Sequence, residues 1–279
     1  MAQKFVFSGH ESFSCKRLWL KKGYDAIVNG VNFTSPDAVV KLGVGKNMVS
    51  SIRYWLKAFG CYKDNKLTVC AAFLFNDHEG VDLYLEDNAT LWLLHYHLVR
   101  EAIASIYGLT FLEFRRERRE FSRDYLLRFL ERRCAGMSGG FNINSVKKDI
   151  GVFLQTYVPP ARAGSYEDYT ALLVDLGLIK ELDRDRYVFA ETESDDVPDE
   201  VVLYALCDIR REDRTISLDM LQEISLIFGL AVPNLVRIVE RLANHYPEAI
   251  AYSDNSGVKN VQFIGDINAF SELRKYYSK

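Results

Sequence analysis

Two clusters in the first sixty residues have side chains of the types and spacing that chemistry needs. The first is His10-Glu11, set in Ser8-Gly9-His10-Glu11-Ser12 with Arg17 and Asp25 downstream. A histidine beside a glutamate offers a general base or metal ligands, and Arg17 could steady a phosphate. The ion for such a phosphodiester hydrolysis would be magnesium or manganese. The same residues also read as the hydrogen bonding of a tight glycine turn, with Glu11 pairing to Arg17. That is the commoner use of such a turn. The second cluster runs from Gly45 to Phe59 and holds Lys46, Asn47, Ser50, Arg53 and Lys57 with no carboxylate. At about 100° per residue, Met48, Ile52, Trp55, Leu56 and Phe59 share one helical face, and Lys46, Ser50, Arg53 and Lys57 share the opposite one. A face of cations, a hydroxyl and a neighbouring amide suits phosphates and base edges. A solvated basic face is the plainer alternative. Three phosphate contacts would give DNA binding a salt slope near −3, at about 0.9 per contact.

The elements that must position this helix are legible on both sides of it. Pro36 to Leu42 reads as a short helix, Gly43-Val44-Gly45 as a turn, and Leu67-Thr68-Val69-Cys70-Ala71 alternates like a strand. Helix, turn, cationic helix and strand are the order of a winged helix-turn-helix. Gly43-Val44-Gly45-Lys46 lacks the spaced first glycine and the Ser/Thr of a Walker loop, so a nucleotide-triphosphate cradle is excluded.

Before this region, Phe5 and Phe7 alternate like a short strand, and Leu18 to Lys22 read as a helix stopped by Gly23. After it, Asn88 caps an apolar, central helix, on which His95 reads as a core histidine and does not pair with His97 as a metal site. Asp82, Glu86 and Asp87 fit either helix-start carboxylates or a divalent ion. A helix over 102–115 runs into Arg115-Arg116-Glu117-Arg118-Arg119, which suits a phosphate grip or a solvated helix end. Ser122 caps the next helix, Ser145 to Tyr157 and Tyr166 to Leu176 form two more, and Leu178-Ile179 pairs with Tyr187-Val188-Phe189 as a hairpin. In the last third, Leu218, Leu221, Ile224 and Phe228 line one helix and Gly229 turns the chain. Leu235, Ile238, Val239 and Leu242 then face inward, Arg237, Arg241 and Asn244 face out, and a hairpin turns at Asn255-Ser256-Gly257. With the glycine-rich break at Gly136 to Gly140, these elements predict two domains, 1–135 and 141–279. The fold class is mainly α with small β-hairpins (α+β), as tandem winged helix-turn-helix-like domains. A second break, Glu191 to Asp199, is acidic.

Composition narrows the function classes. A net charge of −3, with 48% apolar and 26% charged residues, excludes wholesale disorder and a protein that coats nucleic acid indiscriminately. Cys15, Cys61, Cys70, Cys134 and Cys207 are widely spaced with no Cys-x-x-Cys, which predicts reduced thiols in the cytoplasm and no zinc module. No apolar run reaches the length of a bilayer span, and no leader pattern opens the chain, so no membrane association is expected.

Phe7-Ser8-Gly9-His10-Glu11-Ser12-Phe13, Leu42 to Trp55, Tyr84 to His95 and Lys147-Lys148-Asp149 to Tyr157 carry a resemblance over most of the chain. It resembles a bacterial family of unknown function that is associated with phosphoadenosine-phosphosulfate-reductase-like genes and includes the SspB component of DNA phosphorothioation systems. The resemblance implies a DNA-binding, strand-nicking component of a sulfur-modification and phage-defence system. It further implies double-stranded DNA as ligand and a cysteine desulfurase, an ATPase and reductase-like sulfur-transfer proteins as partners. Carried onto this sequence, the matching polar positions are His10, Glu11 and Arg17, then Lys46, Asn47 and Arg53. The alternative is a non-enzymatic winged-helix regulator or a scaffold for the sulfur-transfer partners, and a homodimer fits either. A further rival, a pure protein-interaction scaffold, would have no DNA affinity.

Overall fold

The computed structural model describes residues 5–135, 142–160, 171–255 and 258–279. It is mixed α/β, dominated by helices with small antiparallel sheets, and divides into two compact units, Met1–Ala190 and Glu191–Lys279. The division falls at the acidic break. The glycine-rich break, Gly136 to Gly140, lies outside the described residues.

The first unit is built around α3. Helix α1 (Trp19–Val28) runs through Gly23 and ends at Asn29, against the expectation that Gly23 stops it. A Cβ on Gly23 would meet Leu56 Cδ1 at 2.6 Å and Ile52 Cγ2 at 2.8 Å, so this glycine lets α1 lie close on α3. Helix α2 (Ala38–Leu42) ends in Gly43 with φ 63°, a left-handed cap that Gly tolerates without strain. Gly45 is extended, and α3 (Lys46–Ala58) starts after it, as the spacing predicts. Ile52, Trp55, Leu56 and Phe59 are buried as expected, while Met48 is half-buried.

The expected strand at Leu67 to Ala71 is a helix start. Strands β1 (Tyr62–Lys63) and β2 (Lys66–Leu67) turn through Asp64 and Asn65, both at positive φ. Thr68 Oγ then accepts the Ala71 amide at 3.2 Å and caps α4 (Val69–Phe75). The capping threonine decides the structure, and the alternation around it is coincidental. Phe5 to Phe7 makes no strand either. Its backbone is pinned by the Val6 amide on Ser105 Oγ (2.8 Å) and the Ser105 amide on the Val6 carbonyl (3.2 Å).

Helix α5 (Asn88–Arg100) is capped by Asp87, one residue before the expected Asn88, through the Ala89 amide at 2.7 Å. Asp82 braces the approach by accepting the Glu86 and Asp87 amides at 2.9 and 3.0 Å, which fits the reading of these carboxylates as helix-start groups. His95 is fully buried with Nδ1 2.8 Å from the Tyr157 hydroxyl, a satisfied core histidine. The expected helix at 102–115 is a series: a 3₁₀ turn (Ala102–Ala104), α6 (Ser105–Gly108), a wide π turn (Leu109–Phe114) and α7 (Arg115–Glu117). The π turn brings Phe111 and Phe114 into the core together.

Ser122 caps α8 (Arg123–Cys134) and Asn142 caps α9 (Ile143–Tyr157). The predicted hairpin forms as β4 (Ile179–Asp183) and β5 (Arg186–Phe189), and β3 (Glu120–Phe121) adds a third strand beside β5, with Phe121 stacked on Phe189. The arginine run is spent on structure. Arg115 donates to the Ala190 carbonyl at 2.9 Å and covers Phe189, and Arg118 lies 4.1 Å over Tyr125. Of the helix expected over 166–176, residues 166–170 lie outside the described ones, and Val174–Leu176 is a 3₁₀ turn.

The second unit runs α10 (Asp199–Arg210), β6 (Thr215–Ile216), α11 (Leu218–Phe228), α12 (Val232–His245), β7 (Ile250–Asn255), β8 (Val258–Phe263) and α13 (Ala269–Tyr277), with sheet order β6-β8-β7. Gly229 caps α11 at φ 73° and Leu235, Ile238, Val239 and Leu242 are buried, as the pattern predicts. Arg241 is held by Asp199 through Nε at 2.9 Å and Nη2 at 2.6 Å, and by the Ser194 carbonyl at 3.0 Å. Among the described residues no helix is long and apolar enough to cross a membrane.

Candidate nucleic-acid interface

The loop from Ser8 to Phe13 is tied down from three sides. His10 is buried, its Nε2 lies 2.8 Å from Asp149 Oδ1 on α9, and its Nδ1 accepts the Ser12 amide at 3.0 Å. With Nδ1 accepting, the neutral ring carries its proton on Nε2 and donates it to Asp149. The Ser8 amide points at both oxygens of the same carboxylate, at 3.0 and 2.9 Å. From α3, Ser51 Oγ donates to the His10 carbonyl at 3.0 Å and Trp55 Nε1 to the Phe13 carbonyl at 3.1 Å. Both ring nitrogens of His10 are therefore committed to holding the loop. Glu11 has the opposite environment: it is exposed, with no hydrogen-bond or ion-pair partner among the described residues.

Four residues of this loop, Ser8, Gly9, Glu11 and Ser12, have positive φ. Three of these are not glycine, a concentration of unfavourable backbone that the His10–Asp149 pair holds in place. Gly9 is required on two counts. Its φ is 109°, and a Cβ there would meet Tyr54 Cδ2 at 2.7 Å. Gly9→Ala is expected to destabilise the protein by about 2 kcal/mol. Gly151→Ala, in a helix with nothing within 4 Å of the new Cβ, should stabilise it by about 0.5–1 kcal/mol. Thermal unfolding of the two variants checks the pair, and equal effects would contradict the strain argument.

Gly9 and Tyr54 form one end of a groove of about 660 Å³. Its floor is the α3 stripe Lys46, Ser50, Arg53 and Lys57, and its far wall is the segment from Phe33 to Val39. The residues recur at the four- and three-residue spacing that stacks side chains along one helix face. Lys46 and Ser50 are exposed; Arg53 and Lys57 are half-buried. None of the three cations has a carboxylate partner among the described residues. Three neighbouring cations are ion-paired, Lys21 with Asp25 and Asp77, Lys41 with Asp37 and Arg17 with Asp175, while Lys22 donates to the Leu42 carbonyl. Burial, with the Asp149 carboxylate adding to it, pushes the Tyr54 phenol up, so it stays protonated.

The remaining predicted residues are placed apart from the groove. Arg17 donates to the Leu85 carbonyl at 3.1 Å and to Asp175 at 2.6 Å, which ties α1's approach to distant loops. Asn47 is exposed on the first turn of α3 and does not line the groove. Sequence reasoning missed Asp149, Phe33 and Tyr54. One signal for Asp149 was available: it falls between Val146, Ile150 and Phe153 on the apolar stripe of its helix, where a lone carboxylate needs a buried partner. Burial pushes the Cys15 and Cys61 thiols well up and Cys70 up to about 12, so they remain protonated packing groups.

Among the described residues no three His, Cys, Asp or Glu side chains converge on a metal position. Magnesium is compatible with a sparser donor set, because it keeps several waters and takes one or two carboxylates plus phosphates. Glu11 is the carboxylate of this region that could serve it.

The DUF4007 profile, "Protein of unknown function", matches residues 7–277. The chain belongs to the DUF4007 family. Two solved structures are similar to this member over nearly its whole length. A magnesium ion-bound SspB is 26% identical, covers 98% of this chain and 86% of its own, and superposes with a TM-score of 0.82. A second SspB structure is 25% identical over the same shares, with a TM-score of 0.81. The SspB-like resemblance in the sequence therefore holds at the level of the fold. No curated protein matches the chain.

Proposed function

We propose that this DUF4007 protein is the DNA-docking component of a phosphorothioation system and that it grips phosphates in the α3 groove. The observation that carries this is the set of three cations, Lys46, Arg53 and Lys57, that line one groove with no carboxylate partner among the described residues, while Arg17, Lys21 and Lys41 nearby are ion-paired. Three like charges along one groove, two of them half-buried, repel without an anionic partner, and a phosphodiester backbone supplies one charge per nucleotide. The likeness to SspB supplies the sulfur-modification setting, and a place in phage defence follows from it.

Strand nicking attaches to Glu11. It is exposed, unpaired, and held in a left-handed conformation two residues from Gly9 at the groove's end. A bound magnesium or manganese ion would neutralise the phosphate and lower the pKa of an attacking water. In this reading His10 positions the loop and is not the base, since both its nitrogens are engaged. Supercoiled plasmid with either metal is expected to give open circles with the native protein and not with Glu11→Gln, which should keep the native fold because Glu11 is exposed with no hydrogen bond or ion pair among the described residues. Equal nicking by the variant, or gel retardation without open circles, would remove the nickase assignment and leave the docking one.

A second reading, regulator or scaffold, draws on the second unit. Its helix–strand–helix–helix–hairpin order and β6-β8-β7 sheet support a winged-helix reading. Its outward Arg241, however, is taken by Asp199 and the Ser194 carbonyl. We read this unit as the winged helix that meets the sulfur-transfer proteins, and the first unit, whose α3 is followed by α4 and not a wing, as the one that meets DNA.

A further inference from the structure

The expected mode for a cationic helix after a glycine turn is insertion into a duplex major groove. The geometry of the α3 groove argues against it. A recognition helix must stand clear of its surroundings to enter a groove about 12 Å wide. Here the cationic stripe is the floor of a concavity, and Phe33, Thr34, Ser35, Pro36, Ala38 and Val39 form a wall along it. Arg53 and Lys57 are sunk to half-burial behind that wall. Cations recessed in this way are more accessible to a backbone that can bend into the concavity than to one held in a rigid duplex.

The volume, about 660 Å³, is that of a small-molecule pocket, with space for one or two nucleotides. Its chemistry is mixed in the way a nucleotide requires. Arg53 and Lys57 are one helical turn apart, about 6 Å along the axis, on a scale that serves adjoining phosphates of an extended strand. Phe33 and Pro36 add apolar surface to the same groove, and the Tyr54 ring, packed against Gly9, lines it as well. Aromatic faces over a cationic track are how single strands are held without sequence readout.

We propose that the groove binds a single DNA strand, with a phosphate on Arg53 and Lys57 and one unstacked base against Phe33, and that it does not seat intact duplex. This rests on the DNA-docking reading above and narrows its substrate. It also gives the Ser8–Phe13 loop a role, since Gly9 leaves room for the Tyr54 ring in the groove lining where any larger residue would clash.

The test is fluorescence anisotropy of the full chain with labelled oligothymidylate of about 12 nucleotides and with a hairpin duplex of equal length. The single strand is expected to bind at least about tenfold tighter. Phe33→Ala should weaken it by about tenfold, within the range of one lost base stack, with duplex binding unchanged and Phe33→Trp restoring affinity. Equal or tighter duplex binding, or a Phe33→Ala protein with native melting and native single-strand affinity, would overturn the single-strand assignment while leaving DNA docking intact. Displacement of the strand by an equal concentration of adenosine monophosphate would overturn it in favour of a free nucleotide. No affinity for either DNA would sink the docking reading as well.

Discussion

Asp149→Ala is expected to cost the first unit about 3 kcal/mol and to lower the melting temperature by about 10 °C. Asp149 is 2% exposed and takes three contacts from two donors, the Ser8 amide on both oxygens and His10 Nε2 on Oδ1. Alanine leaves the buried His10 ring N–H unsatisfied, takes the acceptor from the Ser8 amide, and opens a cavity under the loop. The left-handed residues Ser8, Glu11 and Ser12 then lose the anchor that offsets their strain. Asp149→Asn keeps an acceptor for His10 and for Ser8, so its cost should be less than half as large. The direct readout is calorimetric unfolding of the three proteins. Asp149→Ala within about 0.5 kcal/mol of native would contradict the assignment of His10 to holding the loop, and would return the histidine to the list of candidate bases.

The triple variant Lys46→Gln/Arg53→Gln/Lys57→Gln is expected to lose about 100-fold in DNA affinity at moderate salt. The magnitude follows from about 1 kcal/mol for each partly exposed ionic contact, with 1.4 kcal/mol for each factor of ten. Stability should not fall, because none of the three side chains has an ion-pair partner among the described residues to lose. Removing three neighbouring like charges should leave melting unchanged or slightly raised. Arg17→Gln is the informative comparison. Arg17 was a candidate for DNA in the sequence, but its guanidinium is committed to Asp175 and the Leu85 carbonyl. Its loss should lower stability and leave DNA affinity alone. The opposite pattern would move the interface to the Arg17 side of the unit.

How much of this was legible in the sequence depends on how local the deciding interactions are. Helix α3 was readable to within a residue because its period, its glycine turn and its charge segregation all agree over fifteen positions. The Leu67–Ala71 segment was misread because one side chain, Thr68, outweighed a weak alternation by capping a helix. Gly23 was misread as a stop because its reason for being glycine is the approach of α3, which lies about thirty positions along the chain. The site itself was half visible. His10 and Glu11 were picked out together, yet the fold separates them into a buried brace and an exposed carboxylate, and the partner that does so is Asp149, 139 positions away. Lys46, Ser50, Arg53 and Lys57 were correctly grouped on one face. That this face is a groove floor and not a convex surface depends on the Phe33–Val39 wall, which no periodicity announces.

The salt dependence of DNA binding tests the central claim most directly. Affinity for a labelled DNA carrying both single- and double-stranded segments would be measured across a salt series for the native protein and the triple glutamine variant. If Lys46, Arg53 and Lys57 release counterions from phosphates, the native slope of log K against log salt should be steeper than the variant's by about 2 to 3. Identical affinities and identical slopes would show that these cations touch no phosphate, and the α3 groove would cease to be the DNA site.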